Sequence, residues 1–108
     1  MLTKEELPEC PVATTVWLIG NNWKLLIIRN LIDNDRQRFT DFLKTIPSIS
    51  KRVLTDNLRA LENDGLVERE VLSQTPPRVE YSLTELGKTL KPVLDAMRDW
   101  GSEYKNMV

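Results

Sequence analysis

The stretch SKRVLTDNLRALENDGLVERE, residues 50 to 70, carries side chains that could recognise a planar polar partner. Wound as a helix at about 100° per residue, it gathers polar residues on one face: Arg52, Thr55, Asp56, Arg59 and Asn63. Arginine donates paired hydrogen bonds to phosphates and guanine edges, and aspartate accepts them from amino groups. The opposite arc is mainly apolar and predicts a half-buried helix: Val53, Leu54, Asn57, Leu58 and Leu61.

Catalytic and metal-binding chemistry has few candidates in this chain. With no histidine and only Cys10 as a thiol, the chain cannot by itself build a Cys-His pair, a Ser-His-Asp triad or a closed cysteine and histidine zinc site. Carboxylates come in pairs at expected helix ends and strand faces, where no pocket is implied: Asp33 and Asp35, Glu62 and Asp64, Glu68 and Glu70. We therefore predict a protein that is not an enzyme and that uses no metal or cofactor.

Length and composition bound the architecture. A chain of 108 residues with 41% apolar and 29% charged residues fits one globular domain over residues 1–108. Its densest apolar run, Leu25 to Ile28, is far too short to cross a bilayer, and the start MLTKEELPECP lacks the basic and apolar regions of a signal peptide. The sequence therefore predicts a cytoplasmic protein.

Two helices are expected on the N-terminal side of the predicted helix-turn-helix. Pro11 suits a first helical position, and Gly20 ends the segment VATTVWLI, which carries Val12 and Val16 on a common side. After Asn22, which can cap a helix, WKLLIIRNLIDND is apolar on most sides, as is typical of a central buried helix.

A helix-turn-helix is predicted over about residues 40–64. A short helix is expected from Thr40, its cap, to about Ile46, and Ser50 can cap the polar helix that follows. Only a few residues separate the two, which is the spacing of a helix-turn-helix. Gly65 is well placed just past the end of the second helix.

A hairpin and a long helix complete the prediction. The runs LVEREVL and VEYSL flank SQTPPR and predict a β-hairpin, or wing, over about residues 66–83. From Thr84, a plausible cap, one helix is expected over about residues 84–106, bent at Pro92. It carries a heptad seam at Leu86, Leu90, Val93, Met97, Trp100 and Tyr104. The fold class is mainly α with a small β-hairpin wing, a winged helix-turn-helix.

The exposed seam has two possible partners. A helix of that length exceeds what a domain of this size can cover, so we expect a dimerisation layer of the N- and C-terminal helices, formed with a second copy of the chain through Val12, Val16, Leu90, Val93, Met97, Trp100 and Tyr104. In the alternative, the seam folds back on the first two helices of its own chain.

The segments RFTDFLKTIPSISKRVLTDNLRALENDGLVEREV, TPPRVEYSLTELGKTL and DAMRDWG resemble the HxlR-type family of bacterial winged-helix transcription regulators. CPVATTVWLIGNNWKLLIIRNL is similar to that family's N-terminal portion, so the resemblance covers roughly residues 10–101. Asn21 and Asn22 stand where a second glycine and a lysine are common, and Ser48 stands where the turn usually has glycine.

This resemblance implies a homodimer that binds a palindromic operator in double-stranded DNA and represses or activates nearby genes. The net charge of −1 and the pI of about 5.5 lack the strongly basic signature of many DNA-binding proteins. Positive charge is nevertheless concentrated on the predicted helix-turn-helix: residues 36–59 contain six basic and two acidic residues.

Roles on DNA can be assigned by side-chain type. Arg52 and Arg59 suit guanine edges or phosphate, Thr55 a base edge, and Asp56 a cytosine amino group or the orientation of either arginine. The remaining predicted DNA contacts are Arg38 in the basic segment, Thr40 and Lys51 at helix starts for phosphates, and Arg78 near the hairpin tip for the flanking backbone or minor groove. Taken singly, each arginine could equally be a solvated surface charge.

Cys10 is a candidate redox sensor. It precedes Pro11, so the positive end of a helix dipole would favour its thiolate, although Glu9 opposes that effect. Some members of the family it resembles use a cysteine in this N-terminal position to sense redox or reactive carbonyl stress. The alternative is an inert thiol near the terminus.

Two other functions remain open from the sequence. A winged helix can be a protein-interaction module without DNA binding. A regulator gated by a small aromatic effector is the second, with a pocket near Trp17, Trp23 and Trp100. Such tryptophans are more often core or dimer contacts.

Overall fold

The computed structural model describes residues 3–108 and confirms the predicted class of fold. Met1 and Leu2, which begin the predicted domain and the segment tested for a signal peptide, lie outside the described residues. A short 3-10 helix, Lys4–Glu6, precedes α1, Pro11–Ile19, and α2, Asn22–Asp33. The helix-turn-helix consists of α3, Phe39–Thr45, and α4, Lys51–Asn63. It is followed by β1, Val67–Gln74, β2, Pro77–Leu83, α5, Glu85–Lys88, and α6, Lys91–Met107.

One apolar core joins these elements. The side chains of α2, α3, α4 and the base of the hairpin meet in it, and its fully buried members include Ile27, Ile28, Phe42, Leu54 and Leu61. In α4 the buried leucines follow the inward arc predicted from sequence, which leaves the polar face free. Among the described residues, no helix is both long and apolar enough to cross a bilayer.

Two predicted helix caps are wrong by one or two positions. The side chain of Asn21, not Asn22, accepts the Lys24 amide at 2.7 Å and caps α2. Thr40 lies inside α3, which begins after Arg38, and the Asp41 carboxylate accepts the Arg38 amide at 2.8 Å. In each case the extended residue that precedes the helix lies earlier than predicted, by one residue for α2 and by two residues for α3, and a cap typically has extended backbone.

Three other residues that were predicted to begin or end helices do so. The Ser50 hydroxyl accepts the Val53 amide at 3.1 Å and caps α4. Gly65 follows α4 with a φ of 76°, a left-handed conformation that costs glycine little. Thr84 caps α5 by accepting the Gly87 amide at 3.0 Å.

The single C-terminal helix predicted over residues 84–106 is two helices. Pro92 lies in the first turn of α6, where its missing amide proton costs nothing, so it starts a helix instead of bending one. Gly87 in α5 lies so close to the chain after α4 that an added Cβ would be 2.1 Å from the Leu66 carbonyl oxygen. Leu90, predicted in the dimer seam, joins the two helices and packs against the core of its own chain.

The hairpin is an antiparallel pair that a third segment extends. Tyr81 exchanges two backbone hydrogen bonds with Gln37, of 2.8 and 3.0 Å, so the base of the wing is three segments wide. The pairing register shifts between Val71 and Ser73, which leaves Leu72 as the extra residue of a bulge. The base is therefore anchored on both sides, whereas the tip beyond the bulge is paired on one side only.

Ser48 gives a test of backbone strain in the turn between α3 and α4. Its φ of 66° is in the left-handed region, where glycine is unstrained and serine is disfavoured by about 1 kcal/mol. We expect Ser48→Gly to raise the free energy of unfolding by up to about 1 kcal/mol. The same change at Ser102, inside α6, should lower it by about 0.5 kcal/mol. Urea unfolding of both variants at equal protein concentration measures the two signs; a loss of stability at position 48 would contradict the strain.

Candidate nucleic-acid interface

The polar face of α4 is solvent-exposed along its length. Arg52, Asp56, Arg59 and Asn63 are all exposed, with the buried leucines behind them. Neither Arg52 nor Arg59 has a carboxylate within ion-pair distance among residues 3–108. Their guanidinium groups therefore keep all of their donors available for a partner outside the chain.

Thr55 and Lys51 are linked to each other within α4. The Thr55 hydroxyl donates to the Lys51 carbonyl oxygen at 2.8 Å, and the side chain is half-buried. This bond uses the hydroxyl proton, so Thr55 can offer its methyl group or an oxygen lone pair to a base edge. Lys51 itself is exposed at the first position of α4, where the helix dipole favours an anion.

Arg38 and Thr40 lie at the start of α3, apart from the polar face of α4. Arg38 is the residue before α3 and Thr40 is its second residue, and both are exposed. The Thr40 hydroxyl does not cap α3. To contact a phosphate, as predicted, it would have to donate to the phosphate directly.

Arg78 lies near the hairpin tip, where its side chain is already paired within the wing. It is the second residue of β2, and its guanidinium donates to the Glu80 carboxylate at 3.0 and 3.2 Å. Glu80 also lies 3.5 Å from Arg36, which pairs with Glu70 at 2.9 Å. The hydrogen bond and the charge of Glu70 raise the pKa of Arg36 above its ordinary value. Both arginines are therefore already paired with wing carboxylates.

A cleft separates α4 from the base of the wing. It has a volume of about 430 Å³ and is lined by Thr55, Leu58, Arg59, Glu62, Arg69 and Tyr81. Arg69, which the sequence analysis did not select, stands on β1 directly opposite Tyr81. The alternation in VERE places Arg69 on one strand face, but nothing in that pattern tells which helix the face meets.

Side-chain hydrogen bonds link α4 to the start of α2. Asn21 Nδ2 donates to Asn57 Oδ1 at 3.0 Å, and Asn57 Nδ2 donates to the Val53 carbonyl oxygen at 2.8 Å. Because Asn21 also caps α2, the same side chain fixes the end of one helix and the flank of the other. These bonds hold α4 at a set position on the core, and Asn21 is one of the departures noted from the HxlR pattern.

Cys10 is exposed at the residue before α1. Its carbonyl oxygen accepts the Thr14 amide at 2.9 Å, and its side chain makes no capping hydrogen bond. It is a free thiol, and no second cysteine exists in the chain for an intramolecular disulfide.

Large apolar side chains remain exposed on α1 and α6. On α6 Trp100 is 67% exposed and stacks on Tyr104, with ring centroids 5.4 Å apart. The complete set is Val12, Val16 and Trp17 on α1, and Val93, Met97, Trp100, Tyr104 and Met107 on α6. The seam of α6 is therefore not covered by the helices of its own chain.

Three clefts in the described part of the chain can be compared with the aromatic pocket that the sequence left open. The cleft at α4, the one at the wing base near Lys88, and the one along the N-terminal segment near Pro8 have no tryptophan in their linings. Trp23 instead packs partly buried against the core.

A helix-turn-helix with an exposed polar second helix and an adjoining hairpin defines a winged helix-turn-helix protein. The HxlR-like helix-turn-helix family matches residues 18–108, and the chain belongs to this family of transcriptional regulators. It is 48% identical over 106 residues to YdeP of Bacillus subtilis, an uncharacterised helix-turn-helix transcriptional regulator; the match covers 98% of this chain and 82% of YdeP. The prediction that the chain is not an enzyme is confirmed, since its relatives are regulators.

Solved structures agree with this family. The reduced form of the redox regulator HypR is 46% identical, with a TM-score of 0.85, and the match covers 91% of this chain and 96% of HypR. The oxidised form of HypR is 49% identical over 87% of this chain and 96% of HypR, with a TM-score of 0.81.

Proposed function

We propose that this transcriptional regulator is a homodimer that binds a palindromic operator in duplex DNA. The observation that carries the proposal is the exposed α4 face, on which Arg52 and Arg59 lack a carboxylate partner among the described residues. Arginine reads guanine edges through two parallel hydrogen bonds, and an α-helix fits the major groove of B-form DNA. DNA as the partner implies a cytoplasmic protein.

Charge distribution supports contact through this face. The chain as a whole is slightly acidic, but residues 36–59 carry six basic and two acidic residues. Within that segment Arg36 is engaged with the wing, whereas Arg38, Lys44, Lys51, Arg52 and Arg59 have no ion-pair partner among residues 3–108. Free cations next to a recognition helix would neutralise phosphates and orient the helix in the groove.

The exposed seam of α6 supports a second copy as its partner. Trp100, Met97 and Tyr104 are about half or more exposed, and a contiguous apolar stripe of this kind is unusual on a monomer. In a dimer with twofold symmetry, the α6 seam of one chain would pack against the same seam of the other chain. Val12 and Val16 on α1 are exposed as well and would widen this interface.

Selection of bound fragments from random duplexes by the purified protein tests the proposal. We expect the enriched sequences to contain an inverted repeat whose halves are centred about one helical turn, or 10–10.5 base pairs, apart. Enrichment of no sequence, with retention that does not depend on salt, would contradict DNA recognition and favour a protein-interaction module.

We propose in addition that Cys10 makes this regulator responsive to oxidants. Its thiol is exposed, and the chain resembles HypR, a redox regulator with solved reduced and oxidised forms. Because Cys10 is the only cysteine, oxidation would join it by a disulfide to Cys10 of a second copy or to a small thiol. The two thiols lose two electrons and two protons, which the N=N bond of an oxidant such as diamide accepts.

A comparison of wild type with Cys10→Ser tests this second proposal. Diamide should change the operator Kd of the wild type at least severalfold, leave Cys10→Ser unchanged, and be reversed by dithiothreitol. Equal operator binding by wild type before and after complete oxidation, verified by mass spectrometry, would show that Cys10 is an inert thiol.

A further inference from the structure

The arginines of the wing differ in whether they are already paired. Arg78 is bound to Glu80, and Arg36 is bound to Glu70 and Glu80 from the adjoining segment. Arg69 has no carboxylate within 4.0 Å among the described residues. Of the two arginines in β1 and β2, only Arg69 lacks a carboxylate partner among the described residues. The unpaired positive charge of the wing therefore lies at the base of the hairpin.

Arg69 also faces the recognition helix. It lines the cleft of about 430 Å³ between α4 and β1, together with Arg59 and Thr55. Two guanidinium groups on opposite walls of an open polar cleft form a site for a single anion, because each can donate two hydrogen bonds to phosphate oxygens.

The floor of this cleft is rigid. Tyr81, opposite Arg69, packs edge to face on the buried ring of Phe42 with centroids 6.1 Å apart. The Tyr81 backbone is also bonded in both directions to Gln37. Arg69 is therefore carried by the anchored base of the hairpin, whereas Arg78 lies beyond the bulge at Leu72. A cation on a rigid support loses less entropy when it binds.

We propose that Arg69 is a DNA-contact residue, which together with Arg59 holds one backbone phosphate in the cleft between α4 and β1. The inference rests on the proposed DNA binding and assigns the wing's main electrostatic contact to its base, not to Arg78. Arg59 would then face the phosphate from the helix side, while Arg52 and Thr55 remain free for base edges.

Glu62 also lines the cleft, and its removal gives a second test in which DNA binding should become tighter. It is exposed, lies three residues after Arg59 on α4, and has no cation within 4.0 Å among residues 3–108. A carboxylate near the seated phosphate repels it, by about 0.7 kcal/mol or roughly threefold for charges about 6 Å apart in water. Glu62→Gln should therefore tighten DNA binding roughly threefold for each half-site.

Fluorescence anisotropy with a selected duplex at 50 and 200 mM salt tests the inference. Each lost phosphate contact lowers the salt exponent by about 0.9, so Arg69→Gln lowers it by about 1.8 in a dimer. The ratio of variant to wild-type Kd should then shrink about 12-fold between the two salt concentrations. Arg78→Gln, the matched control on the same hairpin, should change the exponent by less than half as much.

The outcomes separate this inference from the proposed function. If Arg52→Ala weakens operator binding but Arg69→Gln leaves the salt exponent unchanged, only the phosphate site is wrong. An effect of Arg78→Gln equal to or larger than that of Arg69→Gln, or unchanged or weaker binding by Glu62→Gln, overturns it as well. If the wild type binds no duplex, the proposed function itself fails. Circular dichroism of each variant verifies that it is folded.

Discussion

Arg52→Ala should weaken binding to the selected operator by about 1–3 kcal/mol for each half-site and relax the sequence preference at the bases it faces. The reason is that Arg52 is exposed on the first turn of α4, has no ion-pair partner among the described residues, and offers a planar pair of donors. Competition titrations with the operator and with single-base variants measure both effects.

Two further substitutions serve as comparisons for this prediction. Lys51→Ala removes a charge at the start of α4 and should weaken all duplexes alike, with a lower salt exponent. Arg98→Ala removes another exposed arginine, one that lies 3.7 Å from Asp33 and away from α4, and should leave operator affinity unchanged. Equal small losses from all three would show that α4 does not read sequence.

Trp100→Glu should convert the protein to monomers at micromolar concentration and thereby abolish tight operator binding. A buried tryptophan at the centre of an interface contributes about 2–4 kcal/mol, and a twofold dimer contains two of them. Trp100 is 67% exposed in the single chain, so the change leaves the core intact. Sedimentation velocity over a range of concentrations measures the shift.

The control for this variant lies on the same helix. Ser102 is exposed on the side of α6 opposite the seam, and Ser102→Glu adds the same charge at nearly the same height. It should leave the dimer unchanged. If both variants stay dimeric, the chains associate through another surface, and if both dissociate, added charge and not the seam is responsible.

The sequence was sufficient where a pattern is local and strong. The period of Leu54, Leu58 and Leu61 predicts the inward side of α4, and the cap at Ser50 fixes where the helix begins. In the same way the apolar run of α2 predicts that this helix is buried, and Gly65 marks the end of α4.

Predictions failed where two local signals compete. Pro92 can bend a helix or start one, and the choice depends on the tight packing of Gly87 against Leu66, which is a tertiary contact. Asn21 and Asn22 are equally good caps, so their bond geometry, including the link from Asn21 to Asn57, decides between them.

The wing shows why the candidate site was only partly predictable. Whether Arg78 or Arg69 is free depends on the pairing register and on the bulge at Leu72, since these place Glu80 beside Arg78. Neither feature has a signature in the alternating sequence of β1. The sequence therefore identified the cationic segment and Arg78 as a candidate wing contact, but it could not show that Arg78 is paired and Arg69 is not.

The mass of the protein–operator complex in solution tests the central claim most directly. Light scattering of the wild type with a duplex containing one inverted repeat, at 150 mM salt, should give two chains for each duplex, and a duplex with a single half-site should bind far more weakly. One chain for each duplex, or equal affinity for the half-site and the full repeat, would contradict a dimer that places two α4 helices in successive major grooves.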